Sequence, residues 1–225
     1  MAMARTGLDE RLSAPISAFH GDAYAMFADI GGSAPGEAVE RWLDRAERER
    51  AGQFRTRALR DRFLNRRALL RVVLAEATGS PPDTLQLQVD QAGRLHLPDG
   101  PDFNASSSHD VALIAVAPAG SRIGADIERC DEHADLDGIA RSIFSSGERA
   151  WMSAAPDPRH AFYRLWTLKE AYLKATGDGL AHEPWAAEID PERRRADAPA
   201  RPGAALEDLA APPGFAAALA LLDAR

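Results

Sequence analysis

The sequence Ile-Gly-Ala-Asp-Ile-Glu-Arg at residues 123–129 alternates apolar and polar residues. An alternation of period two predicts a β-strand with one apolar face and one polar face. The polar face carries Asp126 and Glu128, which would lie roughly 6–7 Å apart along a strand. Carboxylates this close raise each other's pKa unless a cation lies between them. A hard cation such as Mg²⁺ suits this pair, although a solvated strand face is the simpler alternative for an isolated pair.

A second candidate element is a helix predicted over residues 158–175. Asp157 is a natural N-cap, and Pro158 suits the first helical position. The helix carries an apolar stripe made of Phe162, Trp166 and Leu173. Glu170 falls on this stripe, where a carboxylate must be paired, protonated or bound to a metal. Glu170 is therefore a candidate third oxygen ligand, and Lys174 follows it one turn later.

Several short motifs resemble, in order and spacing, those of the surfactin-type (Sfp-type) 4′-phosphopantetheinyl transferases. The downstream motifs are G-x-D-x-E at 124–128, F-S-x-x-E at 144–148, W-x-x-K-E-A-Y-x-K at 166–174 and G-D-G-L at 177–180. The upstream motifs are E-R-x-x-x-F at 49–54, R-x-x-L-R at 67–71, the turn A-G-R at 92–94 and F-N-x-S at 103–106. With P-G-F-A-A-A at 213–218, similar to the family's last strand, the resemblance extends over roughly residues 40–220.

This resemblance implies an α+β fold made of two pseudo-two-fold-related α/β subdomains of the 4′-phosphopantetheinyl transferase type, with the active site at their junction. Residues 1–120 would form the N-terminal subdomain, with the coenzyme A-binding helices and turn. Residues 121–225 would form the C-terminal subdomain, with the metal ligands and the catalytic helix. Further helices are predicted over 37–51, 55–78, 136–143 and 147–154, and strands over 23–28, 84–89, 95–97, 111–117 and 122–128. The proline-rich residues 191–213 are predicted to be irregular.

The resemblance also implies the reaction. A holo-[acyl-carrier-protein] synthase-type transferase moves the 4′-phosphopantetheine group of coenzyme A to a serine of an apo acyl or peptidyl carrier protein and releases 3′,5′-ADP. It implies that Asp126, Glu128 and Glu170 bind Mg²⁺ or Mn²⁺, and that Glu170, Lys174 and Asp126 are catalytic. The residues implied to bind coenzyme A are Arg50, Arg94, Asn104, Ser106, Ser107 and Lys174. Lys169, off the stripe, is predicted to lie on the surface.

One position departs from the family pattern. The family has a histidine that contacts a coenzyme A phosphate where this chain has Ser107, and His109 follows two residues later. A neutral hydroxyl makes a weaker hydrogen bond to phosphate than a charged donor does. This loss leaves open a non-catalytic relative that binds coenzyme A or a carrier protein, whereas the retained carboxylates favour the enzyme. An unrelated Mg²⁺-dependent phosphohydrolase would need a base or nucleophile that the sequence does not offer.

Composition limits the other classes. The chain has 225 residues, a formal net charge of −7 and a single cysteine, Cys130, which excludes a disulfide framework and fits a reducing cytoplasm. Residues 45–71 contain ten arginines against three acidic residues, but the acidic remainder and the lack of a nucleic-acid motif argue against a nucleic-acid partner. The longest apolar run, 111–117, is too short to span a bilayer. A cytoplasmic monomer is expected.

Overall fold

The structure is a computed structural model that describes residues 8–131, 135–177, 187–197 and 204–222. It contains two main antiparallel sheets, and the alternating residues 123–129 lie in the strand at the edge of one of them. The strands are β1 (Ile16–Ala18), β2 (Ala23–Asp29), β3 (Gln88–Val89), β4 (Leu95–His96), β5 (Asp102–Ser108), β6 (Val111–Ala117), β7 (Arg122–Arg129), β8 (Glu188–Asp190), β9 (Arg195–Asp197), β10 (Ala205–Asp208) and β11 (Phe215–Leu222). The helices are α1 (Glu37–Glu40), α2 (Arg45–Gly52), α3 (Arg57–Thr78), α4 (Leu136–Ile143), α5 (Ser146–Ala154) and α6 (Pro158–Thr176).

The first sheet has the strand order β1-β2-β6-β5, and the long helix α3 packs on one of its faces. Because side chains alternate along β6, Ile114 and Val116 contact the helix, whereas Leu113 and Ala115 point to the opposite face. The second sheet has the order β7-β11-β10-β9-β8, and helix α6 packs on it. A further hairpin pairs β3 with β4.

A third apolar core lies between the two sheets. It joins Phe27 and Leu113 of the first sheet to Ile123, Ile127 and Leu219 of the second. The layers therefore run helix, sheet, sheet, helix, which buries the apolar faces of both sheets on both sides. The α+β class predicted from the sequence is confirmed.

Gly124 explains how closely helix α6 lies on β7. A β-carbon at this position would be 1.9 Å from the carbonyl oxygen of Ala171 and 2.6 Å from the backbone nitrogen of Ala175. No side chain fits there, so the glycine allows the helix to rest directly on the strand. The polar face of β7 therefore lies under the last turns of α6, which carry Glu170 and Lys174.

Several elements differ from the sequence-based expectation. The helix predicted over 37–51 is interrupted, because the Asp44 side chain accepts a hydrogen bond from the Glu47 backbone in a capping box and starts a new helix. Strand β5 had not been predicted. The segment 191–213 is not irregular throughout, since β9 and β10 lie in its described parts. In the motif at 177–180, residues 178–180 lie outside the described residues.

Across the described ranges, helices that combine the length and the apolar character needed to cross a bilayer are absent.

Candidate active site

A polar seam joins β5 and β7, the adjacent edge strands of the two sheets. Three side chains of β5 accept hydrogen bonds from backbone N–H groups of β7: Asp102 Oδ2 from Ile123 at 2.7 Å, Asn104 Oδ1 from Ala125 at 3.1 Å, and Ser108 Oγ from Arg129 at 3.1 Å. An open strand edge exposes unpaired backbone groups, and these side chains satisfy them. The seam aligns the polar faces of both strands and so fixes the position of the β7 carboxylates.

Asp126 is buried at the centre of the seam, with 2% of its surface exposed. Its Oδ1 accepts hydrogen bonds from Lys174 Nζ at 2.6 Å and from Ser106 Oγ at 2.9 Å. Lys174 Nζ also contacts Ser106 Oγ at 3.0 Å. Asp126 Oδ2 is buried and has no hydrogen-bond partner among the described residues. One oxygen of this carboxylate is therefore available to a ligand.

Glu128 lies on the same face of β7 and is half-buried. Its Oε2 accepts a hydrogen bond from Ser108 Oγ at 3.0 Å. Burial raises the pKa of Glu128 and the Asp126 charge raises it further, while Ser108 and Lys174 act in the opposite direction. The charge repulsion between Asp126 and Glu128 expected from their spacing is thus present in the fold.

Glu170 faces these two carboxylates from helix α6. Burial raises its pKa, the charges of Asp126 and Glu128 raise it further, and Lys174 lowers it. Its Oε1 is buried and lacks a hydrogen-bond partner within the part of the chain described. Lys174, one turn after Glu170, makes its ion pair with Asp126 on strand β7.

The three carboxylates fit a divalent cation by their chemistry. Among the described residues, no three His, Cys, Asp or Glu side chains stand in a closed arrangement of metal ligands. Two buried carboxylate oxygens, Asp126 Oδ2 and Glu170 Oε1, nevertheless have no donor there, and such atoms need a proton or a cation. An all-oxygen donor set suits Mg²⁺ or Mn²⁺.

A pocket of about 340 Å³ opens beside these residues, between the two halves of the molecule. Its walls come from α3, the turn before β4, strand β5 and the end of α6. Four of the lining side chains are cationic, and the described lining residues include no Asp or Glu: Arg66, Arg67, Arg94 and Lys174 carry the charge. A pocket of this composition suits an anionic ligand such as a phosphate ester.

The residues predicted to bind coenzyme A fall into two groups. Asn104 and Arg94 line the pocket, whereas Arg50 is exposed at the end of α2, within 3.4 Å of Gln53 and over the Phe54 ring. Arg94 uses both of its terminal nitrogens in hydrogen bonds within the protein. They donate to Asp102 Oδ2 at 2.8 Å and to the carbonyl oxygens of Phe103 (2.9 Å), Ile123 (2.7 Å) and Lys174 (2.6 Å). Arg94 thereby links both sheets to α6.

Ser106 and Ser107 point to opposite sides of β5, as neighbours on a strand do. Ser106 faces Asp126, whereas Ser107 Oγ accepts a hydrogen bond from Arg66 Nη1 at 3.0 Å. His109 is exposed in the following turn with a positive φ of 53°. With Ser107 and Arg66 it borders a second, shallow cavity of about 250 Å³. The pattern of the sequence did not single out Arg66.

The prediction that Lys169 lies on the surface was wrong. Its side chain is buried, and Nζ donates to Glu148 Oε2 at 2.8 Å and to the Ala187 carbonyl oxygen at 2.9 Å. Helix α6 is covered by α5 and β8 on the side away from β7, so a position off the apolar stripe is not exposed. The ammonium neutralises Glu148, whose other contacts include a capping box with Ser145 at the start of α5.

The chain is similar in sequence to proteins of known name. Residues 122–209 match the family model of the 4′-phosphopantetheinyl transferase superfamily. The chain is 36% identical over 146 residues to the 4′-phosphopantetheinyl transferase HetI of Nostoc sp., an alignment that covers 62% of this chain and 61% of that protein. It is 32% identical to a 4′-phosphopantetheinyl transferase of Bacillus subtilis and 28% identical to Sfp of Bacillus subtilis strain 168, covering 60% of each chain in both cases.

The alignments thus span about 60% of the length of these relatives. The matched family region, residues 122–209, contains the strand that carries Asp126 and Glu128 and the helix that carries Glu170 and Lys174. The resemblance predicted from the motifs is confirmed, since the chain is similar to 4′-phosphopantetheinyl transferases, Sfp among them.

Proposed function

We propose that this protein transfers the 4′-phosphopantetheine group of coenzyme A to a serine hydroxyl of an apo acyl or peptidyl carrier protein. The observation that carries the proposal is the set of three carboxylates and one lysine beside a cationic pocket, with Asp126 Oδ2 and Glu170 Oε1 buried and without donors. The pyrophosphate of coenzyme A is the anion that this site would bind. The similarity to named transferases supports the same reaction.

Asp126, Glu128 and Glu170 would hold Mg²⁺ or Mn²⁺ in this proposal. The unpartnered oxygens and the raised pKa values of Glu128 and Glu170 support this ligand set, because a bound cation would stabilise the ionised carboxylates. When bound, the ion neutralises charge on the pyrophosphate oxygens.

Glu170 is the proposed general base. The carrier serine forms a bond from its hydroxyl oxygen to the β-phosphorus, and its proton passes to the Glu170 carboxylate. The bond from the β-phosphorus to the bridging oxygen breaks, and 3′,5′-ADP leaves with the bonding electrons. The raised pKa of Glu170 makes it a better proton acceptor than an exposed glutamate.

Lys174 is proposed to stabilise the leaving α-phosphate. Its Nζ lies 2.6 Å from Asp126 Oδ1 at the edge of the pocket, and the side chain stays 31% exposed, so it can also reach a ligand. Arg94, Asn104 and Ser106 contribute by holding β5, β7 and α6 together, with Asn104 also lining the pocket. Arg50 has no part in the proposal, because it is not among the residues that line the pocket.

We further propose two subdomains that meet at residue 120. Residues 1–120 would bind most of the anionic ligand, and residues 121–225 would supply the three carboxylates. We also propose that the protein acts as a monomer in the cytoplasm. Light scattering of the purified protein tests the oligomeric state directly.

The decisive experiment incubates the protein with coenzyme A, Mg²⁺ and a panel of apo carrier proteins from fatty-acid, polyketide and peptide synthases. Intact mass spectrometry should show phosphopantetheine on the carrier serine, and the reaction should stop in EDTA and resume with added Mg²⁺ or Mn²⁺. The matched control is a carrier protein with its acceptor serine replaced by alanine. Coenzyme A binding without transfer to any carrier would instead favour the non-catalytic relative.

A further inference from the structure

Two serines of β5 make hydrogen bonds to the two carboxylates of β7. Ser106 and Ser108 lie two residues apart on the face of β5 that meets β7, and the carboxylates at 126 and 128 have the same spacing on the facing side. Ser106 Oγ donates to Asp126 Oδ1 at 2.9 Å. Ser108 Oγ donates to Glu128 Oε2 at 3.0 Å. The matched spacing gives each carboxylate of the strand its own serine.

The proton of each serine hydroxyl is directed at its carboxylate. A hydroxyl has one proton to donate and two lone pairs that accept. Ser106 Oγ accepts from Lys174 Nζ at 3.0 Å, and Ser108 Oγ accepts from the Arg129 backbone N–H at 3.1 Å. Because the accepted N–H occupies a lone pair, the hydroxyl proton turns to the carboxylate. The His109 ring nitrogen Nδ1 is farther from Ser108 Oγ, at 3.4 Å. Both serines are therefore held as donors.

These hydrogen bonds occupy one oxygen of each carboxylate and leave the other. Asp126 Oδ1 accepts from Ser106 Oγ and from Lys174 Nζ, whereas Asp126 Oδ2 is buried and has no donor among the described residues. Glu128 Oε2 accepts from Ser108, and within the described ranges the other Glu128 oxygen accepts no hydrogen bond. Each carboxylate can therefore offer one unoccupied oxygen to a cation.

We propose that Ser106 and Ser108 are positioning residues that limit the two β7 carboxylates to one metal-binding oxygen each and thereby favour Mg²⁺ over Ca²⁺. This inference rests on the proposed function, in which these carboxylates hold a divalent cation. Ca²⁺ takes about six to eight oxygen ligands and often binds both oxygens of one carboxylate, whereas Mg²⁺ binds few carboxylate oxygens and keeps several waters. A serine that occupies the second oxygen therefore disfavours the larger ion.

The two serines should contribute unequally. Lys174 Nζ also donates to Asp126 Oδ1 at 2.6 Å, so this oxygen stays occupied when the Ser106 hydroxyl is removed. Glu128 Oε2 has Ser108 as its one hydrogen-bond donor in the part of the chain described, so loss of that hydroxyl frees both oxygens. The effect on ion selectivity should be larger for Ser108 than for Ser106.

The test measures Mg²⁺ and Ca²⁺ affinities by competition with Mn²⁺, whose free form is followed by electron paramagnetic resonance, on the full chain alone and with coenzyme A. Ser108→Ala should weaken Mg²⁺ binding by roughly tenfold or more. Ca²⁺ binding should weaken less, because Glu128 can then offer both oxygens, and the preference for Mg²⁺ should narrow. Ser106→Ala should show the same change to a smaller extent. Ser108→Thr keeps the hydroxyl and should keep the preference of wild type.

The matched control is Ser107→Ala. The Ser107 hydroxyl lies on the other side of β5 and contacts Arg66 at 3.0 Å, so this variant should keep the affinities of wild type for both ions. Urea unfolding in EDTA shows whether each variant keeps its fold. If Ser108→Ala does not fold, Ser106→Ala carries the same test on the other carboxylate.

An unchanged ratio of Mg²⁺ to Ca²⁺ affinity in folded Ser108→Ala would overturn the inference, and so would an equal fall of this ratio in Ser107→Ala. Absence of ion binding to wild type, both alone and with coenzyme A, would overturn it as well. Transfer of phosphopantetheine to carrier proteins tests the proposed function separately, because the reaction can proceed whichever residues set the ion preference.

Discussion

Helix α6 carries two lysines that each pair with a carboxylate, and the two pairs are built differently. The Lys169–Glu148 pair is closed. Lys169 Nζ contacts Glu148 at 2.8 Å and a backbone carbonyl oxygen at 2.9 Å, and both Glu148 oxygens accept further backbone hydrogen bonds, from Ser145 at 2.7 Å and Ile189 at 2.8 Å. Every charge in this pair has partners within the protein.

The Lys174–Asp126 pair is open. Lys174 borders the pocket, Asp126 Oδ2 has no donor among the described residues, and the adjacent Glu170 Oε1 has none either. Two such carboxylate oxygens beside a cationic pocket support a site that a ligand completes. Lys169 and Glu170 are neighbours on α6, so one helix carries both the lysine of the closed pair and the glutamate beside the open pair.

The largest expected effect is the loss of transfer in Asp126→Ala. The change removes a carboxylate oxygen at the centre of the site, and transfer should fall by at least about a hundredfold to a thousandfold. The metal-free protein should keep its fold, because Lys174, 31% exposed, can turn to solvent. Initial rates at saturating Mg²⁺ and circular dichroism measure the two halves of this prediction. A near-normal rate would contradict the metal assignment.

The variants Lys169→Met and Lys174→Met test whether the two ion pairs of α6 differ in their contributions to stability and to turnover. Lys169→Met leaves the buried Glu148 carboxylate without its neutralising cation, so the free energy of unfolding should fall by about 3–5 kcal/mol. Lys174→Met should destabilise the fold less, because Asp126 keeps its hydrogen bond from Ser106 and lies beside an open pocket, and it should lower turnover by about a hundredfold. Urea unfolding and steady-state rates on both variants distinguish the pairs. Equal stability losses in the two would show that the open pair is structural as well.

Glu170→Gln should affect turnover and stability in opposite directions. The amide keeps the volume but takes no proton, so kcat should fall more than KM for coenzyme A rises. Since the folded state raises the pKa of Glu170, its ionised form costs stability above that pKa, and the cost disappears below the unfolded value of about 4.3. In EDTA the variant should therefore melt above wild type at pH 7, but not at pH 4.

Added Mg²⁺ should reverse that order at pH 7, because the ion stabilises wild type more than the amide variant. Melting midpoints at the two pH values, with EDTA and with Mg²⁺, test this. A difference in melting midpoint between wild type and variant that stays constant with pH would argue that the fold does not raise the pKa of Glu170.

The smallest effect is expected for Ser107→His, which introduces a second donor beside Arg66. An imidazole hydrogen bond to phosphate adds on the order of 1 kcal/mol, or about fivefold in coenzyme A affinity. The gain should be greatest below the imidazole pKa, which the nearby Arg66 charge keeps low, and should fade as pH rises through it. Calorimetric titration at two pH values checks this. Weaker binding at both would mean that the local backbone cannot accept the ring.

Local patterns predicted the elements that carry the site. The period-two alternation of residues 123–129 predicted β7, and the cap residue Asp157 predicted where α6 begins. The local sequence does not predict strand β5, because Asp-Phe-Asn-Ala-Ser-Ser-Ser has little β-propensity. It is stabilised by pairing with β6 and by side-chain contacts to β7, neither of which is visible locally.

The sequence by itself determined the resemblance to the 4′-phosphopantetheinyl transferases, the carboxylate pair on one strand and the helix that carries Glu170, because these depend on residue type and on spacing within single elements. Only the tertiary structure decided which charges are already neutralised. Lys169 is buried against Glu148, Arg94 is bound by backbone carbonyl oxygens, and Arg66 has no carboxylate partner among the described residues. Burial and ion pairing join residues distant in the chain, so charge patterns along the sequence cannot distinguish a structural cation from one left for a ligand.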